Sequence, residues 1–364
     1  MYLDNRKKSY APALVFITLA FFSCAIFLSV PAGAQKIKQL PPPPPAPRYK
    51  PKPTPTPEYE VVRVSSNLVM APVSVTNTQG QPVLGLKTSD FRIEEDGHPQ
   101  EIAQLGDPEQ VPLDIALLID VSGSVVARFA FEQQAAASFL QQVLKPEDRA
   151  TIFAIDESPR MIQPLTTAQL AARKLLTVTP SNGYTAFFDS VLAAANYLDK
   201  SSSSGRRRIV VVISDGDDTA RILGVSAAQN RSDSMKLIGV DAQLQLIRKA
   251  QLDTQREVQR AEITFYSINP SGQTMHLNVR TARSEEGMER IAAATGGAAF
   301  VPRNESELSG IFQQIASEIR SQYLLQYYSN NKAGGTTFRR INVSTPAQPQ
   351  LHVRSREGYF PKGK

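Results

Sequence analysis

The feature that most constrains this chain is a run of apolar residues that ends abruptly in small polar ones. The apolar run covers residues 115–119, and the segment directly after it is Asp120-Val121-Ser122-Gly123-Ser124. An uninterrupted apolar run of this length is typical of a strand that is buried on both faces, as in a parallel sheet. Open α/β sheets bind their ligands at the carboxyl ends of their strands, so these polar residues are candidates for a binding site.

Two later stretches supply matching side chains. Thr185 lies in the segment Gly183-Tyr184-Thr185-Ala186, and Asp215 follows a second apolar run at residues 209–213. Together with the first segment they offer only hydroxyl and carboxylate oxygens, which are the ligands that Mg²⁺ and Mn²⁺ prefer. The sequence therefore predicts a divalent cation site. The alternative is that the serines only cap the next helix and that Asp215 only starts a turn.

These three stretches resemble the metal-ion-dependent adhesion site (MIDAS) of von Willebrand factor A (VWA) domains. That site combines Asp-x-Ser-x-Ser, a threonine in a Gly-x-Thr-Ala loop and an aspartate in a Ser/Thr-Asp-Gly turn, and the chain matches all three in order. The resemblance implies that Ser122 and Ser124 bind the metal directly and that Thr185 binds it directly or through water. It also implies that Asp120 and Asp215 act mostly through water.

Several charged residues near these stretches are open to two interpretations. Asp189 lies one helical turn after the threonine, where it either orients the threonine loop or simply favours the start of a helix. Asp217 and Asp218 are expected to be solvated turn residues. Residues 206–208 are all arginine, and their side chains are expected to face solvent and to oppose aggregation of the apolar strand that follows. Residues 221–240 are either a specificity loop near the metal or an insertion without function.

The order of apolar runs predicts the fold class of residues 112–320. Continuous apolar runs alternate there with segments whose apolar residues recur at helical spacing, as in Ile311, Ile315 and Ile319. Alternation of strand and helix predicts an α/β domain with a doubly wound, mostly parallel sheet. The VWA resemblance implies the same Rossmann-like fold.

Two flanking segments, 60–108 and 322–360, have the alternating apolar pattern of short strands, and Asp96-Gly97 predicts a hairpin in the first. Either segment alone has too few strands to bury a stable core. We therefore predict that they pair as one small β domain with the VWA domain inserted between them. The alternative is that the C-terminal strands extend the VWA sheet and that 60–108 packs separately. From about residue 60 onward, the chain resembles bacterial secreted proteins of the VWFA-related type.

The N-terminal residues predict export from the cytoplasm. Residues 1–34 combine three basic residues, an apolar run at about 11–30 and a small-residue motif, which is typical of a cleaved signal peptide. The run is also long enough to span a bilayer, so an uncleaved membrane anchor is the alternative. Residues 35–59 form a proline-rich spacer. The protein is expected in the periplasm, in the cell envelope or outside the cell.

The expected function is a metal-dependent, adhesion-type module that captures an Asp or Glu carboxylate of a partner protein. The alternatives are an envelope scaffold with a structural metal and a metal-dependent hydrolase, for which the sequence offers no suitably placed histidine. We therefore expect no enzymatic activity. The single cysteine, Cys24, excludes a disulfide within the chain. The formal net charge of +6 does not indicate nucleic-acid binding.

Overall fold

The structure is a computed structural model that describes most of the chain after residue 67. The described ranges are 68–123, 128–181, 183–222, 240–272, 279–331 and 335–361. They belong to a single unit, Arg63–Lys364. The expected leader and the proline-rich spacer lie outside the described residues. None of the helices in the described ranges is long and apolar enough to cross a membrane.

The described residues form fourteen strands and seven α-helices. The strands are β1 (Leu68–Thr76), β2 (Arg92–Glu95), β3 (His98–Gln100), β4 (Ile102–Gly106), β5 (Leu113–Asp120), β6 (Arg149–Ile155), β7 (Arg160–Thr166), β8 (Arg207–Ile213), β9 (Ile263–Ile268), β10 (Ala299–Phe300), β11 (Tyr323–Tyr328), β12 (Arg339–Ser344), β13 (His352–Ser355) and β14 (Gly358–Tyr359). The helices are α1 (Phe129–Val143), α2 (Ala168–Leu175), α3 (Phe187–Ser201), α4 (Thr219–Ile222), α5 (Val240–Arg260), α6 (Val279–Thr295) and α7 (Leu308–Ser321).

Six strands form a central sheet in the order β10-β9-β8-β5-β6-β7. All neighbours in it are parallel except β6 and β7. Side chains of β5 alternate between two cores, because Ile115 and Leu117 pack against α1, α2 and α7 while Ala116 and Leu118 pack against α3, α5 and α6. Burial on both faces explains why the strand is apolar at every position. The predicted α/β fold class is confirmed.

The edge strand β7 and the helix α2 after it were not predicted. The sequence of β7 mixes polar and apolar residues and contains Pro164, and most of its residues are only half-buried. Proline lacks the N–H that a central strand needs but is accepted at a sheet edge. The absence of an apolar run therefore reflects the position of β7 at the edge of the sheet.

The two flanking segments share both sheets of a second, smaller part of the molecule. One sheet has the order β13-β1-β11-β4 and the other has the order β14-β12-β2-β3, and all pairs in both are antiparallel. A hairpin at Asp96-Gly97, both with positive φ, joins β2 to β3. Side chains from the two sheets form one core that includes Val73, Ile93 and Leu325. The central sheet is thus inserted in a β sandwich built from both flanks.

A buried carboxylate, Glu95, organises the polar part of this sandwich. It accepts hydrogen bonds from Tyr327 Oη at 2.9 Å and from Tyr359 Oη at 3.1 Å, and it pairs with Arg339 at 3.0 Å. Burial is the main reason that the pKa of Tyr327 lies above its usual value. The tyrosine hydroxyl therefore stays protonated and donates a hydrogen bond to Glu95 throughout the physiological pH range.

Tyr327→Phe is expected to lower the free energy of unfolding by about 1–2 kcal/mol, because one hydrogen bond to a buried charged group is lost without a cavity. Urea denaturation would measure the change. Tyr328→Phe is the matched control, since Tyr328 is 55% exposed and should change stability by no more than about 0.5 kcal/mol. Equal effects of the two variants would contradict the role given to Glu95.

A second buried network joins the central sheet to the sandwich and corrects the expectation for the arginine triplet. Arg207 is buried and donates to the Ile319 carbonyl at 3.0 Å and to Gln322, and burial lowers the pKa of its guanidinium to about 10. Arg206 binds the buried Asp114 at 2.9 Å. The prediction of a solvated triplet was therefore wrong, because these side chains hold the start of β8 in place.

Candidate functional site

Asp120, the last residue of β5, is a buried carboxylate at the carboxyl end of the central sheet. Its Oδ1 accepts the backbone N–H of Ser122 at 2.9 Å, and its Oδ2 accepts the hydroxyl of Ser214 at 2.7 Å. Burial raises the pKa of the Asp120 carboxyl because the charged form loses its hydration. The nearby Asp156 carboxylate acts in the same direction.

Asp156 ties the loop that contains the predicted threonine to the ends of β5 and β6. Its Oδ1 accepts the Ser181 hydroxyl at 2.9 Å, and its carbonyl accepts the N–H of Ala186 at 2.9 Å. The N–H of Ser181 also donates to the Val121 carbonyl at 2.5 Å. Asp156 was not among the predicted site residues, although, like Asp120, it is an aspartate at the end of an apolar strand.

The same loop is fixed on its other side by α4. Thr185 is buried, its N–H donates to Thr219 Oγ1 at 2.7 Å, and its carbonyl accepts the N–H of Ala220 at 3.1 Å. Asp215 is the residue after Ser214, the hydroxyl partner of Asp120, and accepts the N–H of Asp217 at 3.0 Å. Hydrogen bonds therefore link the loops of the predicted site into one assembly.

Four of the five predicted metal ligands lie in these linked loops: Asp120, Ser122, Thr185 and Asp215. Ser122 is buried, like Asp120 and Thr185, and Asp215 is half-buried. The fifth, Ser124, lies outside the described residues. The binding of a metal by these five residues stays a prediction.

Asp218 is buried, and the expectation that it is a solvated turn residue was wrong. Its carboxylate accepts the N–H of Phe188 at 3.0 Å and the N–H of Arg221 at 3.0 Å, and burial raises its pKa. It therefore caps the start of α3 and α4 together.

Asp189, in the first turn of α3, forms an ion pair with Arg221 on α4. Because α4 also carries the residues that bind the Thr185 backbone, Asp189 is connected to the threonine loop through that helix. Its predicted role in orienting the loop stays a prediction. Most of the stretch 221–240, residues 223–239, lies outside the described residues.

The donors present at the site fit a hard cation better than a transition metal. Among the described residues, no group of three or more histidine, cysteine or acidic side chains could hold a metal ion. Hydroxyls and separate carboxylates are instead the ligands of magnesium-type sites. A carboxylate as buried as Asp120 is costly unless a positive charge is near it, and a divalent cation would supply that charge.

A cleft of about 960 Å³ lies elsewhere, between α5 and the sandwich. Its lining mixes acidic and basic residues, including Asp96, Glu357, Arg256 and Arg260, and it contains none of the four predicted ligands that the structure describes. Convergent small oxygen donors occur instead in the loops around Asp120, so those loops are the candidate site.

The chain is similar to several solved structures of low sequence identity. Among solved structures, the chain is similar to the PilB minor pilin from Streptococcus sanguinis at 15% identity and a TM-score of 0.40, covering 58% of this chain and 62% of that one. It is also similar to a von Willebrand factor type A structure from Catenulispora acidiphila at 12% identity and a TM-score of 0.43, covering 82% and 64%. The chain thus spans less than two thirds of either structure.

A third similar structure is the vWF domain of the type V pili tip protein Mfa5 from Porphyromonas gingivalis, at 14% identity and a TM-score of 0.41, covering 57% and 95%. These identities and TM-scores are too low to transfer a function. No curated protein matches the sequence.

The family model for the von Willebrand factor type A domain matches residues 115–217. This range begins in β5, ends after the Asp215 turn and so contains all three stretches of the candidate site. The sequence motif, the parallel sheet and the family match agree, and the chain therefore contains a von Willebrand factor type A domain.

Proposed function

We propose that the protein is a metal-dependent binding module that captures a carboxylate of a partner protein. Domains of this family generally mediate protein–protein interaction. The observation that carries the metal dependence is the environment of Asp120, a buried carboxylate whose hydrogen-bond donors are a backbone N–H and a serine hydroxyl. Such a carboxylate, at the junction of three linked loops, is suited to a cation that is open to an external ligand.

The residues proposed to hold Mg²⁺ or Mn²⁺ are Asp120, Ser122, Ser124, Thr185 and Asp215. When bound, the cation would supply a positive charge that attracts a carboxylate, because its hydroxyl ligands are neutral. The protein's own contribution is to fix the loops: Asp156 and Ser181 hold the threonine loop from one side, and Thr219 holds it from the other. Partners would be proteins with an accessible Asp or Glu.

Binding is favoured over the two alternatives by the chemistry of the described residues. A hydrolase needs an acid–base group beside the metal. The described histidines, His98 and His352, lie on β3 and β13 of the sandwich and not in the central sheet. A purely structural metal is the second alternative, and it would leave partner capture unchanged when a chelator is added.

We propose that the protein lies outside the cytoplasm, and only the sequence pattern of residues 1–34 supports this location. A cleaved leader would place the protein in the periplasm, in the envelope or outside the cell. An uncleaved run at 11–30 would instead tether it to a membrane. Detection of residues 1–34 in the protein purified from cells, by intact mass, distinguishes the two outcomes.

Mg²⁺ is expected to raise the melting temperature of the protein, and a chelator is expected to reverse the rise. A ligand that binds only the folded state stabilises it by about 2.7 kcal/mol at one hundred times its dissociation constant. Differential scanning calorimetry would measure the shift, with NaCl at equal ionic strength as the control. A melting temperature that stays the same when Mg²⁺ or Mn²⁺ is added would contradict the proposal.

A further inference from the structure

A second feature at the carboxyl ends of the central strands is an open cleft of about 740 Å³. It is lined by residues from the start of α1, from the turn after β9 and from the turn after β10. In the central sheet, β9 and β10 are the second and third neighbours of β5, whose last residue is Asp120. Since neighbouring strands lie about 4.8 Å apart, the ends of β9 and β10, which lead into the cleft, lie about 10–14 Å from the end of β5.

The described lining of the cleft is basic. It includes Arg128 and Arg303, and none of the described lining residues is acidic. Arg128 donates to Ser271 at 3.2 Å and lies 3.5 Å from the buried Glu132, so part of its charge is already compensated. Arg303 is exposed, and its backbone N–H donates to the Glu307 carboxylate at 2.9 Å. Arg303 is therefore the cation best placed to receive an external anion.

An exposed aromatic ring lies in the same cleft. Phe131 is 41% exposed although it is in the first turn of α1, next to buried positions of that helix. Arginine and aromatic side chains are enriched at the centres of protein interfaces, and this cleft contains both. Charge and composition together favour a peptide segment of a partner over a small ligand.

We propose that this cleft receives a second acidic residue of the partner, three to four residues from the carboxylate captured at the metal loops. An extended segment advances about 3.3 Å per residue, so three to four residues span the 10–14 Å between the two positions. The partner segment therefore has two acidic residues three to four positions apart. The first binds at the metal loops, and the second contacts Arg303 and Phe131. This inference rests on the proposed function, but it concerns separate residues.

The test compares two immobilised peptides that differ in one charge. One is Gly-Ser-Gly-Asp-Gly-Ser-Gly-Glu-Gly, and in the other glutamine replaces the glutamate. A second pair has the two acidic positions in the reverse order. Binding of the full chain is measured by biolayer interferometry in Mg²⁺ and in EDTA. The protein is tested as wild type, Arg303→Glu, Asp120→Ala and Lys200→Glu, where Lys200 is an exposed control at the far end of α3.

The wild type is expected to bind the glutamate peptide about three- to fivefold more tightly than the glutamine peptide in at least one order, as for an exposed ion pair. Arg303→Glu should abolish this ratio, whereas Lys200→Glu should retain it. A wild-type ratio of one in both orders overturns the inference, and so does a ratio that survives Arg303→Glu. A ratio that persists in EDTA and in Asp120→Ala, but not in Arg303→Glu, supports the cleft and counts against metal-dependent capture.

Discussion

Replacing Glu318 by alanine is expected to lower the free energy of unfolding by about 3 kcal/mol, because a buried ion pair and its hydrogen bonds are broken on one side only. Glu318 lies on α7 and accepts hydrogen bonds from Tyr266 on β9 at 2.7 Å and from Ser74 on β1 at 3.0 Å. It also pairs with Arg354 on β13. One carboxylate therefore joins the central sheet to the sandwich.

The loss would leave two buried hydroxyls and a half-buried guanidinium without their shared acceptor. Burial already raises the pKa of Tyr266 well above its usual value, so its hydroxyl stays protonated and needs an acceptor. Urea denaturation would measure the change in stability. The matched control is Glu286→Ala, which removes an exposed ion pair with Arg290 and should cost no more than about 0.5 kcal/mol. Similar losses of unfolding free energy in both variants would contradict the proposed role of Glu318 in connecting the central sheet to the sandwich.

Asp120→Ala is expected to abolish divalent-dependent capture of partner proteins while the domain still folds. Removing a carboxylate that orients or binds a metal typically lowers affinity by about 10–100-fold or more. The measurement is the set of envelope proteins retained on the immobilised protein in Mg²⁺ and released by EDTA. That set should be absent from the variant and present on Asp107→Ala, in which an exposed aspartate before β5 is replaced.

Asp120→Asn guards against loss of fold in the alanine variant. The amide oxygen can still accept the N–H of Ser122, but the charge is gone, so the loop is kept while cation binding is weakened. Capture by either folded variant that still depends on Mg²⁺ would count against Asp120 as part of the site.

The central sheet could be predicted from the sequence because a strand buried on both faces requires a continuous run of apolar residues. Strands β5 and β8 are buried at nearly every position, and their runs are accordingly apolar throughout. The hairpin at Asp96-Gly97 could also be predicted, because an Asp-Gly pair favours the positive φ that both residues adopt in the structure. Strand β7 could not, since an exposed edge requires no apolar run.

Charged residues were harder to interpret, because their roles depend on contacts between residues distant in sequence. Arg207 is buried through its bonds to residues 319 and 322, and its local sequence gives no sign of them. Asp218 is buried because two helices begin beside it. For the candidate site, the ordered motif selected Asp120, Thr185 and Asp215, but a motif contains no information about supporting residues such as Asp156.

The most direct test of the central claim is a count of bound divalent ions. Mn²⁺ titrated into the purified protein can be followed by the electron paramagnetic resonance signal of the free ion. We expect one Mn²⁺ to bind per chain and to be displaced by excess Mg²⁺. Binding should be lost or strongly weakened in Asp120→Ala but not in Asp107→Ala. Absence of a bound ion in the wild type, or equal binding by wild type and Asp120→Ala, would contradict the central claim.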